Sequence, residues 1–115
     1  MIVTPLGPVY IYAATLHRVL DGDTAELNVD LGFRVWGRLL IRLRGYSCPE
    51  LREIGGPEAA VAARTWMSGR KLLIQSYKDQ QTFAQWVADV WVFTDHWEAL
   101  GDLLVSGGHA TVTAA

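Results

Sequence analysis

Cysteine is nearly absent: Cys48 is the single one in 115 residues. That excludes an internal disulfide and a zinc site built on cysteines. No apolar run approaches the roughly 20 residues that a membrane-crossing helix needs. The first residues lack the basic start, long apolar stretch and small-residue cleavage site of a secretory signal. The expectation is a soluble protein of the cytoplasm or another intracellular compartment, without a membrane partner. An excess of positive charge is also missing. The formal net charge is −2 and the pI is about 5.8, which works against a general phosphate binder. Half of the residues are apolar and 19% are charged, so a real core can form. One domain is expected over residues 1–115, with its core at about 9–111.

The charge that is present is unevenly placed. Residues 34–52 carry five arginines (Arg34, Arg38, Arg42, Arg44, Arg52) against one acid, Glu50, while the remainder carries five basic and eleven acidic residues. A basic stripe therefore sits on an acidic body, either as a binding face or as an ordinary solvated strand face.

The pattern of residues predicts mainly strands. Val9 to Leu20 is rich in aromatic and β-branched residues, and Asp21-Gly22-Asp23 follows as a turn. Thr24 to Leu31 alternates apolar with polar residues, as does Val35 to Tyr46. In the latter, Val35, Gly37, Leu39, Ile41 and Leu43 share one face, and Trp36, Arg38, Leu40, Arg42 and Arg44 the other. Gly55-Gly56-Pro57-Glu58 opens a helix that Gly69 ends. Lys71 to Lys78 is a strand, Asp79 to Thr82 a turn and Trp86 to Phe93 a strand. Trp97 to Ser106 reads as a second helix, and Ala110 to Thr113 as a short strand or a tail. The order β-β-β-α-β-β-α is that of a mainly β fold with α, a five-stranded OB-type Greek-key barrel with two packed helices.

Several blocks carry a resemblance. Val19-Leu20-Asp21-Gly22-Asp23-Thr24 is similar to a V-x-D-G-D-T signature. Arg42 to Glu50 is similar to R-L-x-G-[IV]-D-x-P-E, Gly56-Pro57-Glu58-Ala59 to G-x-E-A, and Phe83 to Trp91 to [YF]-G-R-x-L-A-x-V. Leu100 to Ala110 is similar to L-[VL]-x-x-G-x-A. In this order and spacing the blocks resemble the staphylococcal nuclease, or thermonuclease, family. The resemblance implies calcium-assisted hydrolysis of phosphodiesters in DNA or RNA. By it, Asp23 is a direct metal ligand, Asp21 a supporting carboxylate, and Cys48 a ligand through its backbone carbonyl. Glu50 positions the attacking water, and Arg42 contacts the phosphate. Phe83 stacks near the nucleotide, with Arg38, Arg44 and Arg52 as further substrate contacts. Each has a plainer alternative, such as an Asp-Gly-Asp turn, a loop glutamate or a surface arginine.

Two positions depart from the resembled pattern. Ser47 stands where an aspartate ligand is usual, and a neutral hydroxyl is the weaker ligand for a hard cation. Gln85 stands where a second phosphate-binding arginine is usual, and it lacks charge and the bidentate fork. The expected cofactor is therefore calcium, bound weakly or lost, with manganese or magnesium as alternatives. His17, His96 and His109 show no metal-ligand spacing. Three functional readings stay open: an attenuated nuclease acting on DNA or RNA, a nucleic-acid-binding module without catalysis, and a module that binds a protein partner.

Overall fold

The computed structural model describes the backbone of residues 2–4, 7–82 and 85–113, and the side chains of residues 9–77 and 85–113. The elements are β1 (Ile2–Thr4), β2 (Gly7–Asp21), β3 (Thr24–Asp30), β4 (Trp36–Leu43), β5 (Tyr46–Ser47) and α1 (Gly56–Met67). They continue with β6 (Leu72–Thr82), β7 (Gln85–Phe93), β8 (Trp97–Ala99), α2 (Leu100–Ser106) and β9 (Thr111–Val112).

Five strands close into a barrel. β2 pairs with β3, β3 with β4, β4 with β7, β7 with β6, and β6 returns to β2. All of these pairs are antiparallel except β4 with β7. The fold is thus mainly β with two helices and an OB-like closed barrel, as the strand alternation implies. Inward residues fill it: Leu27, Val29, Leu72, Ile74 and Val92 are buried almost completely. Burying such a side chain contributes about 1.5–3 kcal/mol. α1 adds Ala59, Ala63 and Met67 to this core, and α2 adds Leu100 and Leu104.

Local chemistry sets the helix ends. Gly55 precedes α1 in the left-handed conformation, and Pro57 and Glu58 occupy its first turn. Proline loses no hydrogen bond there, and the acid faces the positive helix end.

Three expectations are corrected, and one left open is decided. The strand expected through Tyr46 stops at Leu43, because a turn at Gly45, with φ 82°, redirects the chain into β5. β5 then pairs with β9, so the C-terminal segment is a strand. The expected turn at Asp79–Thr82 is strand: β6 runs to Thr82, where it pairs with Gln85. The expected helix from Trp97 begins only at Leu100. Trp97, Glu98 and Ala99 instead pair with Phe93, Val92 and Trp91, completing hydrogen bonds along β7. β1 was not expected from the sequence. Among the described residues, no helix is long and apolar enough to cross a membrane.

Candidate functional site

The β2–β3 turn, the end of β4 and the segment before α1 meet at one place. Asp23 is 6% exposed. Its Oδ1 accepts the Thr24 hydroxyl at 3.0 Å, and its Oδ2 accepts the Cys48 backbone N–H at 3.1 Å. Arg42 Nη2 stands 3.6 Å from the same Oδ2. The Asp23 carbonyl accepts the Leu43 N–H at 2.8 Å, which pins the turn to β4. Asp21 acts in parallel, since its Oδ1 accepts the Leu51 N–H at 2.9 Å. The two aspartates therefore grip the same segment, at Cys48 and at Leu51, and Glu50 lies between those two anchors.

Glycines make the approach possible. A Cβ on Gly22 would lie 2.8 Å from Cys48 Sγ and 2.9 Å from Ala59 Cβ. A Cβ on Gly56 would lie 1.8 Å from the Glu50 carbonyl oxygen. That neighbour is backbone, so the clash is relieved only by moving the Glu50 segment away from α1. Gly56→Ala is expected to destabilise the fold by about 1–3 kcal/mol. Thermal unfolding checks this, with an expected fall of several degrees.

Asp21 and Glu50 line one open hollow of some 460 Å³ with Leu51 and Arg52. The exposed Glu50 carboxylate is 3.4 Å from Arg52 Nε. Ser47 and Cys48 line a different hollow, with Pro49, Glu53, Glu58 and His109. Arg42 is half-exposed on the outer face of the barrel. It pairs with Val87, and Gln85 lies two residues before Val87 on β7, so Gln85 shares that face. Arg38 is on the same face and donates to Asn28 Oδ1. Arg44 is diverted: its guanidinium lies 4.4 Å over the Tyr77 ring and 3.8 Å from Asp89, whose other contact is the Tyr77 hydroxyl. Phe83 lies outside the described residues.

The electrostatics of the pocket show at Cys48. Burial, with the Asp23 charge beside it and opposed by Arg42, raises the thiol to about 11. A thiol reacts as its thiolate. Iodoacetamide at neutral pH is therefore expected to leave Cys48 unmodified in the folded protein and to label it rapidly once urea unfolds the chain. Mass spectrometry distinguishes the two outcomes.

The acids do not form a ready cation cage. Calcium takes six to eight oxygens, whereas both Asp23 oxygens already accept hydrogen bonds. Asp21, Asp23 and Glu50 do not form a group whose ligand atoms all lie within 4.8 Å of one another, as a ring nitrogen of His96 and carboxylate oxygens of Asp95 and Glu98 do where the β7–β8 turn enters β8. Among the described residues, no buried side-chain nitrogen or oxygen lacks a partner. The site residues as placed do not fit a preformed calcium site. The Asp95–His96–Glu98 group was not anticipated. Its signal is a D-H-x-E run, which gathers only because β8 folds back on β7.

No protein-family model matches the chain, and no curated protein matches it.

Proposed function

We propose that the chain is an attenuated nuclease of the staphylococcal-nuclease type, cutting phosphodiesters in single-stranded DNA or RNA. The observation that carries this reading is the grip of Asp21 and Asp23 on the Glu50 segment, with the Arg42 guanidinium 3.6 Å from Asp23. Arg42 would bind a non-bridging phosphate oxygen and offset the charge that builds up in the transition state. Glu50, exposed beside the hollow, would take a proton from the attacking water. Arg52, next to Glu50, is available as a second contact to phosphate. Gln85 on the Arg42 face donates hydrogen bonds without charge, which accounts for attenuation.

A second reading is favoured by one specific observation. Asp23 accepts the Cys48 N–H and Asp21 the Leu51 N–H, so both acids hold the 48–51 segment and have a structural role whether or not catalysis survives. On that reading the chain binds nucleic acid without cutting it.

A labelled oligonucleotide, single-stranded DNA and then RNA, followed across a calcium and a manganese titration, separates the two. Slow cleavage supports the nuclease. Salt-sensitive binding without cleavage supports the binding module. Neither would leave a protein-binding role.

A further inference from the structure

The outer face of β4 leads away from Arg42 to an aromatic hollow. Arg38 and Trp36 follow on the same face, and six residues at about 3.3 Å each put Trp36 roughly 20 Å from Arg42. Trp36 is more than half exposed, and Phe33, three residues earlier, is fully exposed. The hairpin that presents them is strained. Phe33 and Arg34 have φ of 54° and 61°, which costs about 1–2 kcal/mol for each residue that is not glycine. Trp36 and Trp97 both line a hollow of some 540 Å³, with Ala13, Leu16 and Leu73 as apolar lining and Lys71 among its cations. Trp97 is held edge-on by Phe93, with ring centroids 5.2 Å apart.

The charges around this hollow favour an anion. Arg34, Arg38 and Lys71 are exposed. Of the acids nearby, Asp30 stands opposite Trp36 on β3 and keeps its charge while accepting the Gly32 N–H, so one acid faces three cations. Glu26 is paired with Arg18, which holds its carboxyl below the usual range. Glu98 sits on the opposite face of β8 from Trp97 and accepts the Thr94 hydroxyl. Asp95 is hydrogen-bonded to His96.

We infer that this hollow is a base-stacking subsite for single-stranded nucleic acid. A strand seated at Arg42 runs along β4 past Arg38 and lays a base against Trp36 and Trp97, with its phosphates near Arg34 and Lys71. The inference rests on the nucleic-acid reading above and adds the strand's path and polynucleotide length. An unpaired base is required, because a duplex hides the ring faces that stack. Sequence preference should be weak, since every base has such a face. A dinucleotide held at Arg42 is too short to reach Trp36.

The test measures the affinity of a thymidine dinucleotide and of a single-stranded thymidine octanucleotide by calorimetry. The wild type, Trp36→Ala, Trp97→Ala and Trp36→Phe are compared. Each alanine variant is expected to bind the octanucleotide about tenfold more weakly while its dinucleotide affinity stays unchanged. Trp36→Phe should retain most of the affinity, which separates stacking from a folding defect. Alanine variants that bind the octanucleotide as the wild type does would overturn the subsite. If the dinucleotide binding persists in that case, the Arg42 site stands without it. If the wild type binds neither ligand, both readings fail. Sedimentation supplies the remaining outcome: a wild-type dimer that the alanine variants dissociate, with octanucleotide affinity unaltered, makes the hollow a contact between copies and overturns the inference.

Discussion

Gln85→Arg is expected to raise the rate of single-stranded DNA cleavage by about 10²-fold, with little change in stability. Gln85 shares the outer face with Arg42, the residue paired with the next outward position on β7. A guanidinium there would bring a second charged fork to a phosphate bound at Arg42. One preorganised donor aimed at developing charge is worth about 10²–10³ in rate. Glutamine already donates a hydrogen bond there, so the gain from the charged, bidentate fork belongs at the lower end. The position is half-buried on a strand, and an arginine stem can lie along the barrel with its head in water. Single-turnover rates on a labelled oligonucleotide check the prediction. An unchanged rate would mean that the face beside Arg42 is not where the phosphate sits.

The second large effect is expected at Asp23. Asp23→Ala removes the acceptor for the buried Cys48 N–H and the partner of the Thr24 hydroxyl. An unsatisfied buried donor costs about 1–3 kcal/mol. The lost ion pair adds less, because Arg42 remains accessible to water and the Coulomb attraction is screened accordingly. A total of about 2–4 kcal/mol is expected, read as a lower midpoint in urea. Asp23→Asn provides the contrast. The amide oxygen can still accept the Cys48 N–H, so much of the stability should return. The negative charge that orients Arg42 would not. A purely structural Asp23 predicts full recovery of every property in Asp23→Asn, whereas the nuclease reading predicts a stable protein with reduced cleavage.

The barrel was legible because its strands have a period that the side chains report. Thr24 to Leu31 and Val35 to Tyr46 alternate, and on their apolar faces Leu27, Val29, Ile41 and Leu43 are buried, whereas Leu31 and Val35 at the hairpin end are exposed. The start of α1 was legible for a different reason: glycine and proline there have few other uses. What escaped was decided by pairing between distant segments. Trp97 to Ala99 has the composition to join a helix, yet a free length of β7 claims it as a strand. Polar residues through Thr82 suggested a turn, but the β6–β7 pairing continues into them.

The site shows the same division. Arg42, Asp23 and Asp21 were singled out by the resemblance of their sequence blocks, and the structure gathers them around the Cys48–Leu51 segment. That the aspartates would be engaged by backbone N–H groups could not be read from spacing, because it depends on how closely the loop approaches Gly22. Arg44 was expected on the binding face by alternation. Its diversion onto Tyr77 and Asp89 requires β6 and β7 to lie beside the end of β4, which no local pattern states.

The measurement that bears most directly on the account compares Glu50→Gln with the wild type in cleavage rate and in oligonucleotide affinity. The carboxylate is exposed and its segment is held by Asp21 and Asp23, so the substitution should leave the fold and the affinity intact. The account predicts a loss of at least about 10²-fold in rate, the usual worth of a general base. Cleavage that proceeds undiminished in Glu50→Gln would contradict it.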